Sequence, residues 1–104
     1  MKRGEIWWAQ QPNPIGRRPV VLLSRNEAYS VRNAVSVAQI TTTIRHIPVE
    51  VHLDKTDGLP QKCVVNLDTI TTLRKANLSK KICLLKNEKI ALIDKALKFS
   101  LGLV

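Results

Sequence analysis

The hydrophobic period changes once along this chain of 104 residues, and that change limits the folds it can adopt. Through most of the chain, apolar residues form short runs or alternate with polar residues, as β-strands do. From Asn87 onward, apolar residues recur at helical spacing, at Ile90, Ile93, Leu97 and Leu101. Short strands followed by one helix predict a mainly β fold with a C-terminal helix (α+β), built on a small, strongly curved sheet or barrel.

Six segments carry the strand pattern, and they differ in how much of each strand should be buried. Pro19–Ser24 is almost entirely apolar, which indicates a strand covered on both faces. Val49–Leu53 alternates apolar with polar residues, which indicates a half-buried strand. The predicted strands are Glu5–Ala9, Pro19–Ser24, Ala34–Ile40, Val49–Leu53, Cys63–Leu67 and Lys81–Leu85.

The segments between the strands contain turn-forming residues. Gln10–Arg18 holds two prolines and a glycine and is predicted to be a loop, and Thr56–Pro60 is predicted to be a turn. Arg25–Ser30 is predicted to form one helical turn. Asn87 is predicted to cap the final helix, and the apolar stripe of that helix is expected to pack on the core or to form a dimer seam.

The charge of the chain is strongly basic. Seventeen Lys and Arg residues against eight Asp and Glu give a net charge of +9 and a pI near 10.1. This balance predicts a polyanionic partner: nucleic acid, an anionic membrane or an acidic protein. No apolar run approaches the roughly 20 residues that span a bilayer, and no signal-like core follows the charged N-terminus. We therefore expect one cytoplasmic domain over residues 1–104, with no membrane partner.

The cysteines and histidines give no metal-binding pattern. Cys63 and Cys83 lie in apolar runs and are expected to be reduced, buried thiols. No spacing of His and Cys indicates a metal or cofactor, and His46 and His52 are expected at the surface. The adjacent tryptophans at positions 7 and 8 must point to opposite faces of a regular strand; core packing is expected for both, with one of them near the surface as the alternative.

Five segments, in order, resemble the MazF/PemK toxins of bacterial toxin–antitoxin pairs. They cover nearly the whole chain: Lys2–Trp8, Arg18–Ser24, Ala38–Arg45, Gly58–Pro60 with Cys63–Asp68, and Ile93–Leu101. The resemblance implies an SH3-like small β-barrel of the MazF/PemK/CcdB type, a homodimer, and metal-independent, sequence-selective cleavage of single-stranded RNA. The RNA would be mRNA, with tRNA and rRNA as further targets, and a cognate antitoxin with an acidic segment would neutralise the toxin.

The resemblance also implies the catalytic residues. Arg18 matches the catalytic arginine of the family and Thr41 its catalytic Ser/Thr. Arg18 is expected to act either as a phosphate stabiliser, because an arginine fork can hold two phosphate oxygens, or as the acid. Asp68 is the third candidate, as a base, as a reader of an RNA base edge, or as the cap of a turn. The predicted RNA-binding residues are Arg17, Thr42, Thr43, Arg45, Thr69 and Thr71.

The chain departs from the commoner family pattern at two positions after Asp68. Thr71 stands where an arginine is usual and Thr69 where a glutamine is usual. Because of these differences and the short loop before Arg18, the RNA sequence preference of the family does not carry over to this chain. They also leave open a weakly active or inactive member of the family. Two alternatives therefore stay open: a barrel that binds nucleic acid without cleaving it, and a toxin that acts on a protein such as a topoisomerase.

Overall fold

The computed structural model describes residues 1–103, which form one six-stranded antiparallel sheet and a C-terminal helix. The strand order is β4-β5-β3-β2-β1-β6, with β4 and β6 at the edges. The strands are β1 Glu5–Gln10, β2 Arg17–Leu22, β3 Ala34–Thr41, β4 Glu50–Leu53, β5 Cys63–Arg74 and β6 Leu78–Leu84; the helices are α1 Ala28–Val31 and α2 Asn87–Leu101. The sheet is curled into a half-barrel, which confirms the predicted fold class.

The sheet separates two apolar clusters, and its central strands contribute to both. In β2, Val20 and Leu22 belong to one cluster and Val21 to the other, and all three are fully buried. The prediction that this strand is covered on both faces is therefore confirmed. In β3, Val35 and Val37 face one cluster while alternate residues face the other. Burial on both faces ties the register of these strands to the core.

A bulge bends β5 in its middle. Ala38 of β3 pairs with Ile70, but the next β3 residue, Gln39, pairs with Asn66, so residues 67–69 are extra on the β5 side. Bulges of this kind bend a strand and increase its local twist. The first half of β5 pairs with both β3 and β4. The predicted strand Cys63–Leu67 covers only this first half.

Helix α2 packs against β4 and β5. Two predictions about this helix are wrong. The N-cap is Lys86 rather than Asn87, because Lys86 is still extended and its carbonyl accepts hydrogen bonds from the backbone N–H groups of residues 89 and 90. The predicted stripe is interrupted as well: Ile93 is buried, whereas Leu101 is 57% exposed. Ala96, a small residue outside the predicted stripe, takes the other buried position.

The remaining boundary predictions differ by a few residues. Strand β6 begins at Leu78 rather than Lys81, and the predicted turn over residues 56–60 overlaps a 3₁₀ turn, Lys55–Asp57, whose C-cap is Gly58. Both histidines are exposed, as predicted, and their rings stack with centroids 5.5 Å apart. Within residues 1–103, no helix combines the length and apolar character needed to cross a membrane.

Two buried glutamines connect the β1–β2 loop to β3. Gln11 and Gln39 are only 5% and 4% exposed, and each amide nitrogen donates to the carbonyl oxygen of the other, at 3.1 and 2.6 Å. The backbone N–H of Gln11 also donates to the Gly16 carbonyl and closes the loop. This pair fixes the loop that leads into β2 against the strand that ends at Thr41.

Gly58 provides a test of the turn that precedes β5. Its φ is +102°, and a Cβ atom there would lie 2.9 Å from Cys83 Cβ. We expect Gly58→Ala to lower the free energy of unfolding by about 2 kcal/mol or more. The cost of a positive φ at alanine is added to the cost of the close contact with Cys83. Gly102→Ala is the matched control, since Gly102 has φ +71° with open space around it. Urea unfolding measures both; equal losses would contradict the packing argument.

The glutamine pair predicts non-additive stability. Gln39→Leu leaves the buried amide of Gln11 without its partner, so we expect a loss of about 1–3 kcal/mol in the free energy of unfolding. The double variant Gln11→Leu/Gln39→Leu removes both polar groups and should lose less than the sum of the single variants, by about 1 kcal/mol. Urea titration of the four proteins tests this, and additive losses would rule out the coupling.

Candidate functional site

A pocket of about 230 Å³ opens where several strand ends meet at one side of the sheet. Strands β1 and β3 end there, and β2 and β5 begin there, because neighbouring strands in this part of the sheet are antiparallel. The loop between β4 and β5 forms the remaining wall. The lining residues are Trp8, Arg17, Arg18, Pro19, Ile40, Thr41, Thr42, Leu59, Pro60, Gln61 and Cys63.

The pocket brings Arg18 and Thr41 together. Val20 of β2 pairs with Gln39 of β3, so continuing this antiparallel register by two residues on each strand places Arg18 across from Thr41. Both side chains line the pocket, and both residues are partly buried. The two first-ranked candidates from the sequence therefore share one site, although they lie 23 positions apart in the chain.

The charge of the pocket is positive. Its charged lining residues are Arg17 and Arg18, and its lining contains no carboxylate and no histidine. Within residues 1–103, neither arginine forms a salt bridge. Two guanidinium groups without an acidic partner at the mouth of a pocket favour an anion, and the planar fork of arginine suits phosphate.

The threonine run contributes hydroxyl groups to the same side of the pocket. Thr41 Oγ1 accepts a hydrogen bond from the backbone N–H of Thr43 at 3.1 Å, which orients the hydroxyl and leaves its proton available to donate. Thr42 is exposed and lines the pocket. Thr43 and Arg45 are exposed in the following loop but are not among the lining residues.

Glu50 holds the loop that carries Arg45. The carboxylate of Glu50 is buried and accepts hydrogen bonds from the backbone N–H of Arg45, at 3.1 Å to each oxygen, and from that of Ile47 at 3.4 Å. This contact explains why an acidic residue on the polar side of β4 is inaccessible. It also leaves the guanidinium of Arg45 pointing away from the core, since the residue itself is exposed.

Asp68, Thr69 and Thr71 do not line this pocket. Asp68 lies in the β5 bulge, where its backbone N–H donates to Asn66 Oδ1 at 2.8 Å and its Oδ1 lies 2.7 Å from Ser100 Oγ of α2. Thr71 follows the bulge and pairs with Val37. The candidates named from the sequence thus form two groups, because the bulge separates the second half of β5 from the pocket.

Cys63 lies in the pocket wall, but its thiol is poorly suited to act as a nucleophile. Burial, with smaller contributions from Asp57, Asp54 and Cys83, raises the pKa of Cys63 to about 11. The thiol therefore stays protonated at neutral pH, and it is the thiolate that reacts. Within residues 1–103, no group of three or more His, Cys, Asp or Glu side chains is arranged to hold a metal ion.

The sequence analysis missed part of the pocket. Leu59 and Pro60 belong to the predicted turn Thr56–Pro60, and Gln61 follows it, but a turn signature alone does not say which strand ends the turn faces. Trp8 was expected in the core and instead lines the pocket, whereas Trp7 packs against an apolar cluster. The expectation of core packing for both rings is therefore wrong for Trp8, and the alternative, with one ring near the surface, describes the structure.

Comparison with known proteins agrees with this geometry. The family described as the PemK-like, MazF-like toxin of type II toxin–antitoxin systems matches residues 2–101. A Mycobacterium tuberculosis protein named probable endoribonuclease MazF5 is 39% identical over 97 residues, covering 92% of this chain and 88% of that protein.

Solved structures give the same result. The Mycobacterium tuberculosis toxin MazF-mt6 superposes with a TM-score of 0.89 at 31% identity, covering 96% of this chain and 98% of that one. An endoribonuclease from a mycobacterial species, solved with its cognate antitoxin, superposes with a TM-score of 0.88 at 29% identity, covering 100% and 97% of the two chains. With its fold, its pocket and these matches taken together, this chain belongs to the PemK-like, MazF-like toxin family of type II toxin–antitoxin systems.

Proposed function

We propose that this protein is a sequence-selective endoribonuclease toxin that cleaves single-stranded RNA without a metal ion or cofactor. The observation that carries the proposal is that Arg18 and Thr41 line the same basic pocket, in a chain of this family. The relative named probable endoribonuclease MazF5 supports the same activity. The RNA would be mRNA, with tRNA and rRNA as further substrates.

The proposed reaction uses the 2′-hydroxyl of the substrate as the nucleophile. The 2′-oxygen attacks the adjacent phosphorus and gives its proton to solvent water, and the 5′-oxygen of the next nucleotide leaves and takes a proton from solvent water. The products are a 2′,3′-cyclic phosphate and a 5′-hydroxyl. Because the pocket lining holds no histidine or carboxylate to act as a general base, stabilisation of the phosphoryl oxygens by Arg18 is the main contribution. The hydroxyl of Thr41 donates a hydrogen bond that positions the phosphate.

The remaining candidate residues would contact the RNA strand at the edge of the pocket and beyond it. Thr42, Thr43 and Arg45 continue from the pocket along the loop after β3, where they can bind phosphate or sugar groups. The second group, Asp68, Thr69 and Thr71, would bind nucleotides farther from the cleaved bond. There the carboxylate of Asp68, oriented by Ser100, could accept a hydrogen bond from the amino group of a base and contribute to sequence preference.

The toxin would act in the cytoplasm as a homodimer and would be neutralised by a cognate antitoxin. Family membership supports both the second subunit and the antitoxin, and the structure of a relative has been solved with its antitoxin. An acidic antitoxin segment could compete with RNA for Arg17 and Arg18. Helix α2 leaves Leu92 and Phe99 48% and 63% exposed, apolar surface that a second subunit could cover.

A barrel that binds nucleic acid without cleaving it is the second candidate. The charge of +9 and the threonine at position 71, where relatives usually have arginine, favour it. Such a protein would retain RNA in a salt-dependent way and release no products. The cleavage assay below separates the two functions.

Arg18→Ala should reduce cleavage of a short single-stranded RNA by about 100- to 1,000-fold in kcat, because an electrostatic contact to the reacting phosphate is lost. Thr41→Ala should reduce it by about 10- to 100-fold, as expected for a hydrogen bond to a charged group. The assay is run in EDTA with product sequencing. Arg74→Ala is the matched control, because Arg74 is exposed at the far end of β5. Full activity in Arg18→Ala, or intact RNA with excess wild-type protein, would contradict the proposal.

Arg17 should contribute one phosphate contact to RNA binding. Arg17→Gln is expected to make the slope of log affinity against log salt concentration less negative by about 0.7, the value for one phosphate of a single strand. An oligonucleotide with a 2′-deoxy substitution at the cleaved position allows binding to be measured without cleavage. Arg74→Gln should leave the slope unchanged, and equal changes in both variants would show that only overall charge matters.

A further inference from the structure

The two adjacent tryptophans of β1 have different surroundings. Trp7 donates its ring N–H to Glu5 Oε1 at 2.9 Å and packs against the cluster around Ala9 and Val20. Trp8 points to the other side of the strand, where its ring lines the basic pocket. Trp7 therefore has a structural role that accounts for it, whereas the ring of Trp8 lies at the site itself.

The face of the Trp8 ring is covered by Arg17. Arg17 Cζ lies over the ring, 4.2 Å from its centroid. Arg17 is exposed, and within residues 1–103 it forms no salt bridge. Its guanidinium therefore contacts the Trp8 ring rather than a carboxylate. At an exposed position a cation–π contact is weak. A phosphate that offers two charge-assisted hydrogen bonds would compete for the same guanidinium.

The space beside this ring suits one planar heterocycle. The pocket of about 230 Å³ is larger than the cavity of about 150 Å³ that accommodates a benzene ring in another protein. Leu59 and Pro60 supply apolar surface, and Arg18 and Thr41 place phosphate-binding groups in the same pocket. Proteins that hold single-stranded RNA stack unpaired bases on aromatic rings of this kind.

We propose that the face of Trp8 is the stacking site for one unpaired nucleobase of the RNA, and that Arg17 covers this face until a phosphate of the same strand draws the guanidinium away. The proposal rests on the RNA-cleaving function proposed above and adds to it a contact that positions the RNA strand. Stacking holds one nucleotide beside the cleaved bond and thereby sets which phosphate reaches Arg18. Trp8 acts as a binding residue, and the chemistry remains with Arg18 and Thr41.

Short RNA substrates with a single abasic nucleotide test the proposal. The abasic nucleotide is moved one position at a time past the cleaved bond. With wild-type protein, one position should raise KM by about 5- to 100-fold, the loss expected for one base–aromatic stack. With Trp8→Leu, KM for the intact RNA should rise by a similar factor, and that position should no longer be sensitive. Trp8→Phe should recover most of the affinity, because it restores an aromatic face.

Trp7→Phe is the matched control, and it should keep both the KM and the sensitive position. Equal sensitivity to the abasic nucleotide in wild type and Trp8→Leu would overturn the proposal, as would an unchanged KM in a folded Trp8→Leu protein. Circular dichroism checks that each variant is folded.

Fluorescence separates this proposal from the nuclease itself. The chain has two tryptophans, so Trp7→Phe leaves Trp8 as the only one. An RNA with 2′-O-methyl groups throughout should quench that fluorescence on binding, while an oligomer of the same length with abasic nucleotides should not. Quenching without any cleavage of normal RNA would support the stacking site and refute the nuclease. Cleavage without base-dependent quenching would refute the stacking site alone.

Discussion

Burial of the central strands on both faces is the constraint on which the rest of this structure depends. Val20 and Leu22 face one apolar cluster and Val21 faces the other, so a slip of β2 by one residue would exchange every side chain between them. The register of β2 against β3 is fixed by this packing. Because Arg18 and Thr41 lie just outside the packed part of the two strands, the same register places them opposite each other. The geometry of the site is thus a consequence of core packing one or two residues away, at Ile40 and Val20.

Part of this arrangement could be predicted from the sequence. The apolar run Pro19–Ser24 indicated a strand buried on both sides, and family segments identified Arg18 and Thr41 as partners. Local signals failed where tertiary packing decided the outcome. Asn87 has a side chain that caps helices well, yet α2 takes Lys86 as its cap without any side-chain hydrogen bond. Leu101 continues the helical stripe but lies where α2 no longer covers the core, and it stays exposed.

The β5 bulge is the feature that no local pattern indicated. Asp68 is unusual for a strand interior, but only the pairing with β3 shows that residues 67–69 are extra. The bulge leaves Asp68 within β5 but without a pairing partner on β3, and its carboxylate contacts Ser100 of α2. The sequence analysis grouped Asp68 with Arg18 and Thr41. Asp68 follows the predicted strand Cys63–Leu67, and that strand begins at the pocket. The fold gives Asp68 a separate surface, which would let the protein contact two parts of one RNA strand.

The groups that shape the pocket differ in kind from the groups that would bind its ligand. Binding would depend on guanidinium charges, whose attraction for phosphate falls as salt concentration rises. The loop before β2 is instead held by the amides of Gln11 and Gln39, which are uncharged, shielded from solvent and have no proton to gain or lose near neutral pH. A change in salt concentration would therefore alter how strongly the pocket holds an anion while the loop before β2 stays in place. This part of the site keeps its shape at the salt concentrations that weaken its attraction for phosphate.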